Sequence, residues 1–201
     1  MDDTLTSLVN DVYSLTNRPD LVGETLLAVR NATLKAHNTD YYYKDLFESG
    51  ISFDFPSSQQ SLEYKKLIPR WRALKYIRKC SIDSNGNSTP TGFLEIISPD
   101  NVLDSYSINK ENVVYVAGVE LQIRSREAFQ YCLLGCYIHP DVTVDGYTSW
   151  IAEEQPAAIV YAAAATIFKT IGYDEQNAAY QTLVADEYAQ LKLTNIVANG
   201  Y

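Results

Sequence analysis

Apolar positions along the chain change period twice, and the changes divide it into helical ends and a β middle. Leu5, Leu8, Val12 and Leu15 recur at helical spacing, with Val9 beside them. Asn17–Arg18–Pro19–Asp20 interrupts the run. It predicts a cap at Asn17 or Arg18, with Pro19 and Asp20 in the first turn of a second helix. Val22, Leu26, Val29, Thr33 and Ala36 carry that helix, which fades near His37 and Asn38. Tyr41, Tyr42 and Tyr43, then residues 44–47, predict one or two further helical turns, ended by Gly50.

The strongest helical signal spans residues 149–172. Pro156 suits a first turn, where its missing N–H costs nothing, and Gly172 suits a C-terminal cap. Val160, Ala164, Ile167 and Ile171 share one stripe, and Phe168 widens it. Residues 162–165 are all alanine, so nearly the whole circumference is short and apolar. Such a helix belongs at the centre of a bundle. Trp150, just before it, reads as a lid on that bundle. Beyond Gly172, Asp174 caps a last helix with the stripe Tyr180, Val184, Tyr188 and Leu191. Residues 193–201 have no clear period and predict an extended tail.

Between the helical ends the period is two. Ile51, Phe53 and Phe55 alternate with Ser52 and Asp54. Residues 64–79 fit helix or strand, and Pro69 with the aromatic and β-branched content favours extended chain. Residues 83–88 are loop, and residues 93–97 a short strand. Residues 112–117 and 119–124 predict two strands meeting at Gly118, and residues 129–137 another that His139–Pro140 stops. The expected fold class is therefore α+β: an antiparallel helical bundle from residues 1–49 and 149–192, an inserted antiparallel β domain over 50–148, and a tail over 193–201.

With 201 residues the chain can bury about 70% of its unfolded surface without staples. Three cysteines, Cys80, Cys132 and Cys136, suggest no disulfide framework and fit synthesis in a reducing compartment. The opening MDDTLTSL has no basic region or apolar core, so no signal peptide is expected, and no apolar run is long enough for a bilayer.

Chemistry is sparsely supplied. Only His37 and His139 could act as a base near neutrality, and His37 with Asp40 reads as a helix-end contact. Cys132, Cys136 and His139 have suggestive spacing, but on a strand the thiols stand about 13 Å apart, too far for one zinc. Phosphate-loop, dinucleotide, zinc-protease and nucleophile-elbow motifs are absent. No catalytic, cofactor or metal site is expected.

Charge is unevenly spread. Lys65, Lys66, Arg70, Arg72, Lys75, Arg78 and Lys79 lie within fifteen positions that contain no acid, in a chain of net charge −9. An acidic protein surface, DNA phosphates and plain solvent are the three readings of that segment. The chain also holds 16 tyrosines, a residue that favours interfaces and also β domains.

The opening TLTSLVNDVYSLTNRPDLVGETLLAVRNATLKAHNTDYYYKDL and the later SWIAEEQPAAIVYAAAATIFKTIGYDEQNAAYQTLVADEYAQL resemble the head-to-tail adaptor (connector) proteins of tailed bacteriophages. The layout is similar to the gatekeeper, or tail tubular protein A, of short-tailed phages. The resemblance rests on flanking helices around a β insertion, on the NRPDL turn and on the frame of Trp150, Pro156 and Gly172.

It implies a structural virion protein, not an enzyme, made in the host cytoplasm and placed in the neck between head and tail. Such proteins form a ring of identical subunits, usually twelve-fold, under the portal protein. They present a docking surface to a tail or nozzle protein, and double-stranded DNA passes through the channel without sequence-specific binding. By position, Ile196, Val197 and Tyr201 are then the portal contacts, and truncation after Leu191 is expected to leave a folded subunit. The basic 65–79 segment becomes a contact to neighbours or to the tail protein. No membrane and no cofactor are involved. Alternatives are a tail-side stopper or tail-completion protein, a non-viral protein-binding module, an enzyme working through carboxylates alone, and a DNA-binding regulator.

Overall fold

The first apolar stripe winds as helix α1 (Asp3–Thr16), with Leu5, Leu8, Val9 and Val12 on its buried face. The computed structural model of the protein describes residues 3–55 and 59–198. The chain divides into two units, Met1–Asp45 with His139–Tyr201, and Leu46–Ile138. Among the described residues the first holds helices and turns, and the second holds seven strands, so the fold is α+β.

In the helical unit, α1 ends where Asn17 takes a left-handed conformation (φ 54°), which asparagine tolerates. Arg18 then donates two hydrogen bonds of 2.7 Å to Asp20. Helix α2 (Val22–His37) starts after this turn, so Pro19 and Asp20 precede it rather than forming its first turn. Further on, Ser149 caps the short helix α4 (Trp150–Glu154), its Oγ accepting from the Ala152 N–H at 3.2 Å. Pro156 separates α4 from α5 (Ala157–Thr170), so residues 149–172 form two helices.

Helix α5 packs against α1, α2 and α4, and on the fourth element, α6 (Asp174–Ala198). Nine of its fourteen residues are buried, which makes it the centre of this core. Val160, Ala164, Ile167 and Phe168 are among them, while Ile171 and Trp150 are half-buried and pack at its margin. Gly172 (φ 81°) closes α5 in a two-bond glycine cap: the Gly172 N–H donates to the Lys169 carbonyl, and the Tyr173 N–H to that of Phe168. The Phe168 and Tyr173 rings stack 6.3 Å apart, completing the apolar contact of that cap.

Ala163 is fully buried. Ala163→Leu is therefore expected to overpack the core and lower stability by about 1–3 kcal/mol, read from urea unfolding. An unchanged midpoint would place this position at the surface.

The second unit is a sheet in the order β1 (Leu46–Phe55), β7 (Phe129–Ile138), β3 (Trp71–Ile82), β4 (Ser88–Ile96), β5 (Val113–Ala117), β6 (Glu120–Arg124), β2 (Gln59–Leu62). Strand β1 begins at Leu46, where helical turns are expected from the sequence. Leu46 to Gly50 pair with Tyr137 to Leu133, and this ladder outweighs local preference. The ambiguous 64–79 segment holds one helical turn, α3 (Tyr64–Leu67), and then β3. The sheet is mixed rather than antiparallel, because β4 and β5 pair in parallel at Glu95 with Val113 and Ile96 with Val114. Residues 97–112 return the chain to start β5 alongside β4, which a tight hairpin cannot do.

Ile77 of β3 faces Leu134 of β7, and with Cys132, Cys136 and Leu94 they form the inner face of the sheet. Burial pushes the Cys132 thiol up to about 12 and that of Cys136 to about 11, so both remain protonated core residues. No helix among the described residues is long and apolar enough to cross a membrane.

Candidate docking surface

Two polar assemblies in the helical unit attract attention first. His37 ends α2 with its ring buried, its Nδ1 2.8 Å from Asp45 Oδ1 and its Nε2 3.0 Å from Ser149 Oγ. The sequence suggests Asp40 as its partner, and the carboxylate that reaches it is Asp45. Trp150 Nε1 donates to the same Asp45 oxygen at 2.8 Å. The Trp150 ring meets the His37 and Tyr42 rings edge-on.

Ser, His and Asp in this order are the groups of a hydrolytic triad. Here the serine Oγ is spent on capping α4, and all three residues are at most 5% exposed. The arrangement ties the end of α2 to the start of α4. Neither periodicity nor spacing signals it, because Ser149 lies 112 residues from His37 and the eight residues from His37 to Asp45 match no regular repeat.

Tyr147 extends this buried polar layer, its hydroxyl 2.6 Å from Thr33 Oγ1. Burial pushes its phenol up to about 12, from an ordinary value near 10. Because the folded form keeps the proton longer, the contribution of Tyr147 is constant below about pH 10 and is lost as pH rises toward 12. The loss reaches about 3 kcal/mol. Tyr147→Phe is expected to shrink the alkaline limb in melting curves taken against pH, leaving the shares of Tyr188, Cys132 and Cys136. An identical limb would assign the effect to other groups.

The C-terminal end of α6 is the surface that neither assembly uses. From residue 193 the chain stays helical to Ala198, correcting the extended tail expected from the sequence. No glycine or proline lies between Asp174 and Ala198, so nothing stops the helix there. Val184, Leu191 and Asn195 lie on its buried side. Asn195 Nδ2 donates to Asp40 Oδ2 at 3.1 Å and to the Tyr41 carbonyl at 3.2 Å, and Asn195 Oδ1 accepts from the Tyr43 N–H at 3.2 Å. This amide fixes the end of α6 to the 40–43 turn.

Opposite Asn195, Leu193, Ile196 and Val197 form an i, i+3, i+4 stripe that is 62%, 46% and 75% exposed. Tyr41 and Tyr43, on the turn that Asn195 holds, are 52% and 43% exposed. Two features that are separate in sequence, the tyrosine triplet and the apolar end, thus meet at one clamp. Tyr201 lies outside the described residues. Truncation after Leu191 would also delete Asn195, and with it the three hydrogen bonds to the 40–43 turn.

The seven basic residues are not one face. Lys65 and Lys66 are exposed on α3, with Lys66 paired to Glu63 at 2.6 Å. Arg70 is exposed at the turn into β3 with φ 64°. Arg72 and Lys75 fall where the pairing of β3 with β7 shifts register, and the Lys75 ammonium lies 5.9 Å over the Tyr137 ring. Arg78 lies over the Tyr76 and Phe93 rings, 3.9 Å from Glu48, and half-buried Lys79 donates to Asn112. Arg78 and Lys79 are held within the sheet unit, and Lys65, Arg70 and Lys75 project from it.

Among the described residues, no group of three His, Cys, Asp or Glu side chains is placed to hold a metal. No protein-family model matches the chain, and no curated protein is significantly similar to it.

Proposed function

We propose that the chain is a structural virion protein, a head-to-tail adaptor that docks as a ring under the portal of a tailed phage. The observation that carries this reading is the end of α6. An apolar stripe of Leu193, Ile196 and Val197 is left in solvent, while Asn195 on the other side holds it rigidly in place. A pre-organised apolar helix end binds a partner with little ordering cost.

The helical unit, proposed to be an antiparallel bundle, presents this end to the portal protein. That unit holds fifteen acidic and six basic residues, so it carries the whole net charge, while the sheet unit holds ten of each. An acidic lining repels DNA phosphates and lets the genome slide past without sequence-specific binding. The protein is thus made in the host cytoplasm and resides in the virion neck, with a tail or nozzle protein as its other neighbour.

A tail-completion role is the second reading. It is favoured by the residues 104–108 turn, where Asp104 Oδ1 accepts from the Tyr106 and Ile108 N–H groups. There Tyr106 and Ile108 stand 82% and 62% exposed.

Particles carrying a tagged copy of the chain test the reading by electron microscopy. Label between head and tail is expected. Label at the distal tail would favour the second reading, and label absent from particles would overturn both.

A further inference from the structure

We infer that copies of this chain bind one another through the α3-to-β3 turn of one copy and the outer face of α6 of the next. This deepens the ring reading above and rests on it only for closure of the contact into a ring.

The outer face of α6 lies opposite its buried Val184–Leu191–Asn195 side. Glu175, Ala179, Thr182, Asp186 and Ala189 follow one another along it, and all are exposed. Eleven residues separate the two carboxylates, about three turns, so they point the same way about 16 Å apart. Between them stand only short side chains, over which the aliphatic stems of Lys and Arg can lie flat.

The sheet unit offers the matching charges. Arg70 and Lys75 are both exposed, Arg70 at the turn into β3 and Lys75 at the second of the two points where β3 shifts register against β7. Lys65 adds a third exposed cation on α3. Arg70 is fixed in a left-handed backbone conformation after Pro69, an uncommon state for a residue with a side chain, and one that pins its direction.

The opposed charges lie on different units of the chain, so the contact joins unlike surfaces. It leaves Leu193 and Val197, further along the same helix, to the other partner.

Sedimentation velocity of the full chain across a concentration series tests this at about 10 mM and about 1 M salt, where charges are felt over roughly 30 Å and 3 Å. The wild type is expected to self-associate at low salt and to dissociate at high salt. Arg70→Glu with Lys75→Glu, and separately Glu175→Lys with Asp186→Lys, should each weaken association by more than about tenfold.

Mixing the two double variants restores opposite charges at every contact and should restore assembly. Arg70→Gly relieves the backbone conformation, so it should fold at least as well as wild type and still associate more weakly. A wild type that stays monomeric at low salt, association indifferent to both reversals, or a mixture that fails to recover would each overturn the inference. Loss of portal binding with this association intact would remove the adaptor reading alone. Portal binding without charge-dependent association would remove only this contact.

Discussion

Asp45→Ala is expected to lower the unfolding free energy by about 4 kcal/mol, the largest single-residue effect foreseen for this protein. Its Oδ1 accepts from Trp150 Nε1 and lies 2.8 Å from His37 Nδ1, and the His37 and Asp45 side chains are 2% and 4% exposed. Removing the carboxylate leaves the buried His37 ring and the half-buried Trp150 indole N–H without this partner, at a cost of about 1–3 kcal/mol each. His37 then loses the contact that orients its ring toward Ser149, and the cap of α4 loosens with it. Asp45→Asn keeps one acceptor oxygen and should cost about half as much. Urea unfolding curves measure both. If Asp45→Ala unfolds like wild type, the network is decoration and the α2–α4 tie lies elsewhere.

The second large effect concerns recognition. If the end of α6 is the proposed portal contact, Leu193→Asp combined with Val197→Asp should weaken portal binding by more than about 100-fold, because two of its three exposed apolar residues become charged. Both positions are more than half exposed, so the melting midpoint should barely move. Asn195→Ala provides the contrast. It removes three hydrogen bonds from a residue 5% exposed, so it should lower stability and loosen the 40–43 turn together. Undiminished binding by the double variant would show that the end of α6 is not the docking surface.

The helical frame was legible where local rules and tertiary structure agree. The alanine run with Pro156 and Gly172 marks α5 because each residue serves the helix by itself: proline before its first turn, glycine in the left-handed cap. Alternation likewise marks β6 and β7, whose inner faces are buried.

The sequence misleads where partners distant in the chain decide. Residues 46–49 become strand only through β7, and the parallel step from β4 to β5 depends on how residues 97–112 return. Aperiodicity after Leu191 was read as extended chain. It reflects a helix that buries a polar residue, Asn195, and exposes the apolar Leu193, Ile196 and Val197, the reverse of the usual amphipathic pattern. The end of α6 proposed for docking is named by its residues in the sequence, but its helical shape is not. Asn195, its clamp, has no local signal, because the hydrogen-bond partners that tie it down on the 40–43 turn lie about 150 residues away in sequence.

The most direct test of the account is the mass of the full chain in solution, alone and mixed with a portal ring, at physiological salt. The account predicts a discrete complex holding one copy of the chain for each portal subunit, lost with Leu193→Asp and Val197→Asp. A chain whose mass is indifferent to the portal ring would contradict it.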